Sequence, residues 1–201
     1  FYITILVLFL IIIYPNVSSP DQSRLQGFGI FILGSLGVLI LGIIDDRFNI
    51  RAWVKLFFQV FIAILMFYAG ISFDKLLGIS LHPLINLFVT VFWIVLLTNA
   101  FNLIDGMDGV CSGLGVVSSL SLGILLIITD QPVKACVLFI LAGSCLGFLK
   151  HNFHPASIFL GDAGSMFIGF IIAIMSLVGD VGKSAVVSIL VPLLIVGVPI
   201  F

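Results

Sequence analysis

Residues 84–109 read LINLFVTVFWIVLLTNAFNLIDGMDG, an apolar run that ends in a short polar turn. The run over 84–101 shows no alternation with a period of two, so it is not an outer-membrane strand. A helix satisfies its own backbone groups within the segment, as a lipid environment demands. At its end Asn99, Asn102, Asp105 and Asp108 recur every three residues. The two asparagines fit the last turn of a helix, one turn apart on one face. Gly106 and Gly109 each follow an Asp and are expected to break the helix there. The stretch therefore predicts an apolar helix that ends in a compact turn rich in oxygen ligands.

The rest of the chain repeats this alternation. Hydrophobic runs lie at about 1–13, 27–44, 56–73, 84–101, 111–128, 133–149, 163–179 and 185–201. Of 201 residues, 62% are hydrophobic and 8% charged, against roughly a quarter charged in an average soluble domain. Runs of about 20 apolar residues cross a bilayer as helices. The chain is read as an all-α, polytopic integral membrane bundle with about eight hydrophobic spans. A net charge of −1 offers no basic patch for nucleic acid. Cys111, Cys136 and Cys145 sit in or beside apolar runs without metal-ligand spacing and read as small buried residues. Phe1 and Phe201 both fall inside hydrophobic runs, so we expect an internal stretch of a longer chain. The apolar start lacks the basic flank and small-residue cleavage site of a signal peptide.

Counting spans places alternate connections on one membrane face. The connections 45–55, 102–110 and 150–162 share a face and hold five of the nine acidic residues: Asp45, Asp46, Asp105, Asp108 and Asp162. The opposite connections carry turn chemistry, such as Ser18-Ser19-Pro20 and Asp130-Gln131-Pro132, and Asp21, Asp74, Asp130 and Asp180 read as solvated turn or cap residues. Lys and Arg divide four against four between the faces, which leaves orientation open. Adjacent Asp45 and Asp46 at a span end need water, cations or a metal to compensate them. Arg47, Arg51 and Lys55 follow closely and either balance that charge or meet an anionic phosphate. Trp53 reads as an interfacial anchor. Asp162, within Gly161-Asp162-Ala163-Gly164-Ser165, opens a helix, where capping is ordinary and phosphate is favoured. His151 and His154 read as surface loop residues, and His82 lies on the other face.

Five carboxylates repel a diphosphate unless a divalent cation bridges the two sets of oxygens. Asp and Asn oxygens without a Cys or His cluster suit Mg2+, or Mn2+, over Zn2+. The residues thus point to metal-dependent phosphoryl-type chemistry at one membrane face. A cation-coupled transporter is the alternative class, since broken helices and intramembrane acids suit it. Transporter acids belong near the bilayer midplane, whereas these gather at span ends.

At these residues the chain resembles the polyprenyl-phosphate N-acetylhexosamine-1-phosphate transferases. The matching blocks are Asp45-Asp46-Arg47-Phe48-Asn49-Ile50, the stretch 99–109, Asn152-Phe153-His154-Pro155-Ala156, and the stretch 158–165. The resemblance implies one transmembrane catalytic domain over 1–201, in the bacterial cytoplasmic (inner) membrane with its site facing the cytoplasm. It implies Mg2+-dependent transfer of an N-acetylhexosamine-1-phosphate, N-acetylglucosamine in the branch it most resembles, from a UDP-sugar to undecaprenyl phosphate. UMP is released and a cell-surface glycan begun, in cell wall or lipopolysaccharide synthesis. The implied partners are UDP-N-acetylhexosamine, undecaprenyl phosphate and the lipid bilayer, with a homodimer compatible and nucleic acid excluded.

Carried over residue by residue, Asp45 resembles the base that ionises the lipid phosphate and Asp46 its partner, the catalytic pair. Asp162 resembles the principal metal ligand and Asn102 a second. Asp105, Asp108 and Asn152 resemble nucleotide contacts, and Phe159 the aromatic that stacks on uracil. Many members have a third acid where Asn49 stands. A basic N-terminal motif and a late His-rich loop of the family are absent, as expected of an internal stretch. Direct attack by the lipid phosphate on the β-phosphorus and a two-step route through an aspartyl intermediate both stay open.

Overall fold

A computed structural model describes residues 22–73 and 81–178. Six α-helices follow in order: α1 Gln22–Phe48, α2 Ala52–Tyr68, α3 Pro83–Ile104, α4 Val110–Ile128, α5 Pro132–Asn152 and α6 Gly161–Val178. They coincide with the six central apolar runs; the expected spans at 1–13 and 185–201 lie outside the described residues, as do Asp21, Asp74 and Asp180. Among the described residues, five helices are long and apolar enough to cross a membrane, with α1 counted from Gly29. The protein is an all-α, multi-pass membrane bundle. Helix α2 has 17 residues, about 25 Å at 1.5 Å per residue, slightly short of a ~30 Å hydrocarbon core.

Helix ends differ from the expected boundaries where polar residues continue an apolar helix. Helix α1 starts at Gln22, ahead of the expected run over 27–44, and continues through Asp45 and Asp46 to Phe48. Only residues 49–51 then join α1 to α2, in place of the expected 45–55. Asn49 holds a left-handed φ of +48°, a conformation Asn tolerates, and its N–H donates to Asp45 O at 2.8 Å. Helix α3 ends at Ile104, just before Asp105-Gly106, where the sequence placed the break.

Helix α6 is the axis of the bundle. Residues 163–177 are all buried, so the helix is enclosed around its whole circumference, as a central helix must be. Helices α1 and α3 flank it, α2 packs on both of those, and α4 and α5 form a hairpin closing another side. Helices within lipid gain little from mutual burial and depend on close packing and interhelical hydrogen bonds. Gly42 meets Ala163 so closely that an added Cβ would lie 2.3 Å from Ala163 Cα. At Gly169 the same atom would lie 2.6 Å from Leu97 O, so α3 also approaches α6 through a glycine. Farther along, Trp93 Nε1 donates to Ser176 Oγ at 2.9 Å. Cys111 and Cys145 are buried, as the sequence suggested, whereas Cys136, near the start of α5, is only partly buried. Trp53, 81% exposed, and the exposed Phe57, Phe61 and Leu65 give α2 an apolar outer face suited to lipid.

The close approach at Gly42 makes a signed prediction. Gly42→Ala forces α1 off α6 and is expected to cost about 1–3 kcal/mol as overpacking. Gly143→Ala on exposed α5, with nothing within 4 Å of its added Cβ, is expected to be neutral or to gain up to about 1 kcal/mol from helix propensity. Thermal unfolding of the two variants in one detergent should move their midpoints in opposite directions, or Gly42 alone.

Candidate functional site

The three polar breaks meet at one end of the bundle. The C-terminal ends of α1, α3 and α5 and the N-terminal ends of α2, α4 and α6 supply them. Asp46, in the last turn of α1, accepts hydrogen bonds from two amides in the first turn of α6: Asp162 N to Oδ1 at 2.7 Å and Ala163 N to Oδ2 at 3.1 Å. A helix start leaves N–H groups unpaired and carries partial positive charge, so a carboxylate fits there. Gly161 precedes them with φ +72°, and a Cβ on it would sit 2.9 Å from both Asp46 oxygens. Only glycine fits that corner.

Asp45, 3% exposed, points into the bundle. Its Oδ1 accepts from Ile50 N at 2.9 Å, and its Oδ2 pairs with Lys55 Nζ. The same ammonium lies 3.7 Å from Asp162 Oδ1. Lys55 therefore stands between the two carboxylates. Asp162 also accepts from Asn102 Nδ2, and that amide donates to Ser165 Oγ at 3.0 Å. Among the described residues no group donates to the Asn102 carbonyl oxygen, and the Asp162 side chain keeps 33% of its surface. One turn below, Asn99 Nδ2 donates to Gln59 Oε1 at 2.5 Å and to Val95 O at 2.8 Å. Gln59 is buried and its Nε2 reaches Met166 Sδ at 3.3 Å, so α2, α3 and α6 are tied beneath the site.

A second set of bonds holds the turn before α4 against residues 153–160. Asp108 Oδ2 accepts from Ala156 N at 3.1 Å and meets His154 Nδ1 at 3.0 Å. The amide first, and His154 second, hold the Asp108 carboxyl below its usual range. Asn152, 3% exposed, accepts from Ser112 Oγ at 2.6 Å and Gly109 N at 3.2 Å and donates to Ile158 O at 3.0 Å. Asp105 lies between the two sets. Burial first, then the charge on Asp162, pushes its carboxyl up to about 7, with Asp46 adding to the rise and the Gly161 amide opposing it. Phe159 is 74% exposed just before α6.

The structure thus brings Asp45, Asp46, Asn102 and Asp162 into one cluster, with Asp105 beside it and Asp108 and Asn152 bracing the adjacent segment. The sequence offered Lys55, with Arg47 and Arg51, as balancing charge near Asp45 and Asp46, but did not connect it to Asp162 or pick out Gln59 and Ser112. A signal for Lys55 was available: a cation in the first turn of an apolar helix opposes the helix dipole and calls for an acid elsewhere. Among the described residues no three Asp, His or Cys side chains form a metal-holding group.

The model of the family described as "Glycosyl transferase family 4" matches residues 28–180. The chain belongs to glycosyl transferase family 4. The resemblance read from the motifs therefore holds at the level of the family. A Bacillus subtilis (strain 168) relative named "Probable undecaprenyl-phosphate N-acetylglucosaminyl 1-phosphate transferase" is 38% identical over 84% of this chain and 49% of its own length. A Mycobacterium leprae (strain TN) decaprenyl-phosphate N-acetylglucosaminephosphotransferase is 36% identical over 68% of the chain and 38% of the relative. A Caldicellulosiruptor bescii phospho-N-acetylmuramoyl-pentapeptide-transferase is 34% identical over 81% of the chain and 53% of the relative. The chain spans about half the length, or less, of these curated relatives.

Two outcomes follow from the site's charges. Lys55→Met leaves Asp45 charged and buried with no cation beside it and the Ile50 amide as its remaining partner, which should cost about 3–5 kcal/mol. The double variant Asp45→Asn/Lys55→Met should cost clearly less than the sum of the single changes in a denaturation cycle; additive costs would dissolve the pair. For Asp105, the folded value near 7 lies above the ordinary 3.8, so the folded state binds the extra proton between those values. Its contribution to stability is full below about 4 and is lost as pH rises through 7. In metal-free buffer, wild-type unfolding midpoints should fall relative to those of Asp105→Asn from pH 4 to pH 8.

Proposed function

We propose that this family 4 chain forms the catalytic core of a membrane enzyme that transfers a sugar-1-phosphate from a UDP-sugar to a polyprenyl phosphate and releases UMP. N-acetylglucosamine-1-phosphate and undecaprenyl phosphate are the substrates we favour, at the cytoplasmic face of a bacterial inner membrane. The observation that carries the reading is the single cluster of Asp45, Asp46, Asn102, Asp162 and Lys55 where membrane helices end. The names of the relatives support it, since each contains a polyprenyl-phosphate or sugar-phosphate transferase activity.

The donor set suits Mg2+. Mg2+ uses one or two carboxylates and keeps waters and substrate phosphates as its other ligands, so a three-acid cage is not required. Asp162 and the unengaged carbonyl of Asn102 would hold it, and both are hard oxygen ligands. When bound, the ion would neutralise charge on the pyrophosphate and on departing UMP.

The chain's own groups divide the remaining work. Lys55 places a positive charge between Asp45 and Asp162 and so reduces the repulsion those two carboxylates exert on an incoming phosphate dianion. The second pKa of a phosphate is about 6, so the acceptor is largely dianionic at neutral pH. Asp45 then contributes more by holding Lys55 than by removing a proton. Asp46 keeps the start of α6, and with it Asp162, in place. Phe159 offers an exposed ring to the nucleobase. In direct displacement, an acceptor phosphate oxygen forms a bond to the β-phosphorus as the bridging bond to the α-phosphate breaks. The electron pair leaves on UMP.

The test uses the protein at its full natural length in membranes, with UDP-N-acetylglucosamine, undecaprenyl phosphate and Mg2+. Wild type should form lipid-linked sugar and UMP in equal amounts, and Asp162→Ala should lose at least about 100-fold, the scale of losing a key electrostatic group. Well-folded protein that releases no UMP from any UDP-N-acetylhexosamine would sink the proposal. Cation-driven uptake into vesicles, abolished by Asp162→Ala, would then favour the transporter.

A further inference from the structure

Helix α2 packs on α1 and α3, and its Lys55 and Gln59 side chains reach across to α6. These contacts form two layers, one helical turn apart. In the outer layer Lys55 and Asn102 both meet Asp162. In the inner layer Asn99 donates to Gln59 Oε1 at 2.5 Å, and Gln59 Nε2 reaches Met166 Sδ at 3.3 Å. The same three helices supply both layers: residues 55 and 59 of α2, 102 and 99 of α3, and 162 and 166 of α6. Steps of three or four residues keep each pair on one helix face.

The inner layer is uncharged and lies deeper in the bundle. Gln59 is buried, where an apolar side chain needs no partner and an amide does. Among the described residues its bond to Asn99 is the one side-chain hydrogen bond between α2 and α3. Asn99 gives its other amide proton to Val95 O, 2.8 Å away on its own helix, which fixes the direction of the side chain that meets Gln59. Apolar helix faces in lipid have little to stop them sliding, whereas a hydrogen bond has a length and a direction.

We propose that Gln59 and Asn99 are a positioning pair, whose bond sets α2 against α3 so that Lys55 and Asn102 arrive together at Asp162. The pair acts through those two residues and not by contact with substrate. This rests on the reading above that Lys55 and Asp162 serve the phosphates.

Two measurements on the full-length protein test it. The first is kinetic and swaps the pair. Gln59→Asn and Asn99→Gln each change the reach across the gap by one methylene, and the double variant restores it. With UDP-N-acetylglucosamine, undecaprenyl phosphate and Mg2+ in lipid nanodiscs, each single variant should lower kcat/KM about 10- to 100-fold, the scale of a misplacement of about 1 Å. The double variant should recover most of that loss. Trp93→Phe removes a bond between α3 and α6 away from the site and should leave kcat/KM unchanged. A swapped pair no better than the worse single variant would overturn the proposal. So would an equal loss in Trp93→Phe, because any missing helix contact would then suffice. The second measurement is thermal unfolding in one detergent without substrate. Gln59→Leu and Lys55→Met together should lower the midpoint clearly less than the sum of their separate effects, since without the pair Lys55 is already out of place. Strictly additive shifts would overturn the proposal. A wild type that transfers nothing sinks the functional reading, while the unfolding cycle still decides the pair.

Discussion

The carboxylate of Asp46 at the start of α6 is the contact on which the rest of the site depends. It joins two residues 116 apart in the chain and satisfies amides that a membrane protein can rarely leave unpaired. An N-terminal cap is worth about 1 kcal/mol, and a charged one adds its attraction for the helix dipole. Its structural effect is larger than that energy. Because the bond is made through the amide of Asp162 itself, the carboxylate of Asp162 has a fixed origin. Gly42, one turn before Asp46, lets α1 approach closely enough for this, and Gly161 gives the backbone the corner it turns.

From that anchor the charges of the site can be traced individually. Asp46 is answered by helix amides, Asp45 by Lys55 and the Ile50 amide, and Asp108 by the Ala156 amide and His154. Asp162 has an asparagine amide and a more distant share of Lys55. Asp105 is a carboxylate whose surroundings resist its ionisation, with a value near 7. A diphosphate brought to this end of the bundle therefore meets two acids that are incompletely answered. The proposed cation would supply the missing positive charge.

Much of this was legible in the sequence because lipid imposes so few solutions. Continuous apolar runs can only be helices, and counting them put the polar breaks on one face, where the Asp46–Asp162 and Asp108–Ala156 bonds place them. Less was legible at the helix ends. Asp45 and Asp46 looked like loop residues because charge ordinarily ends a span, yet α1 carries both inward and outward carboxylates in its last turn. Periodicity gives no information on which acid a lysine will find, so Lys55 could be read only as local charge balance. Nor does it show that Asn152 is fully engaged inside the protein, since its partners Ser112 and Ile158 lie on either side of it in a chain path that spacing does not reveal.

The three-residue rhythm from Asn99 to Asp108 acquires a physical reason in this arrangement. A step of three residues along a helix advances about 4.5 Å and rotates 300°, so successive positions drift by 60° around the axis. The helix ends at Ile104, and the turn that follows runs to Gly109, which takes a φ of +74° before α4. Each polar side chain consequently faces a different neighbour. Asn99 reaches Gln59 on α2, Asn102 reaches Asp162 and Ser165 on α6, and Asp108 reaches Ala156 in the segment beyond α5. Asp105 lies within reach of the charges on Asp162 and Asp46. A strict helical face would have pointed all four at one partner. The drift makes one short turn the seam between the half of the site that holds carboxylates and lysine and the half that presents Phe159, so the geometry of each half depends on the other.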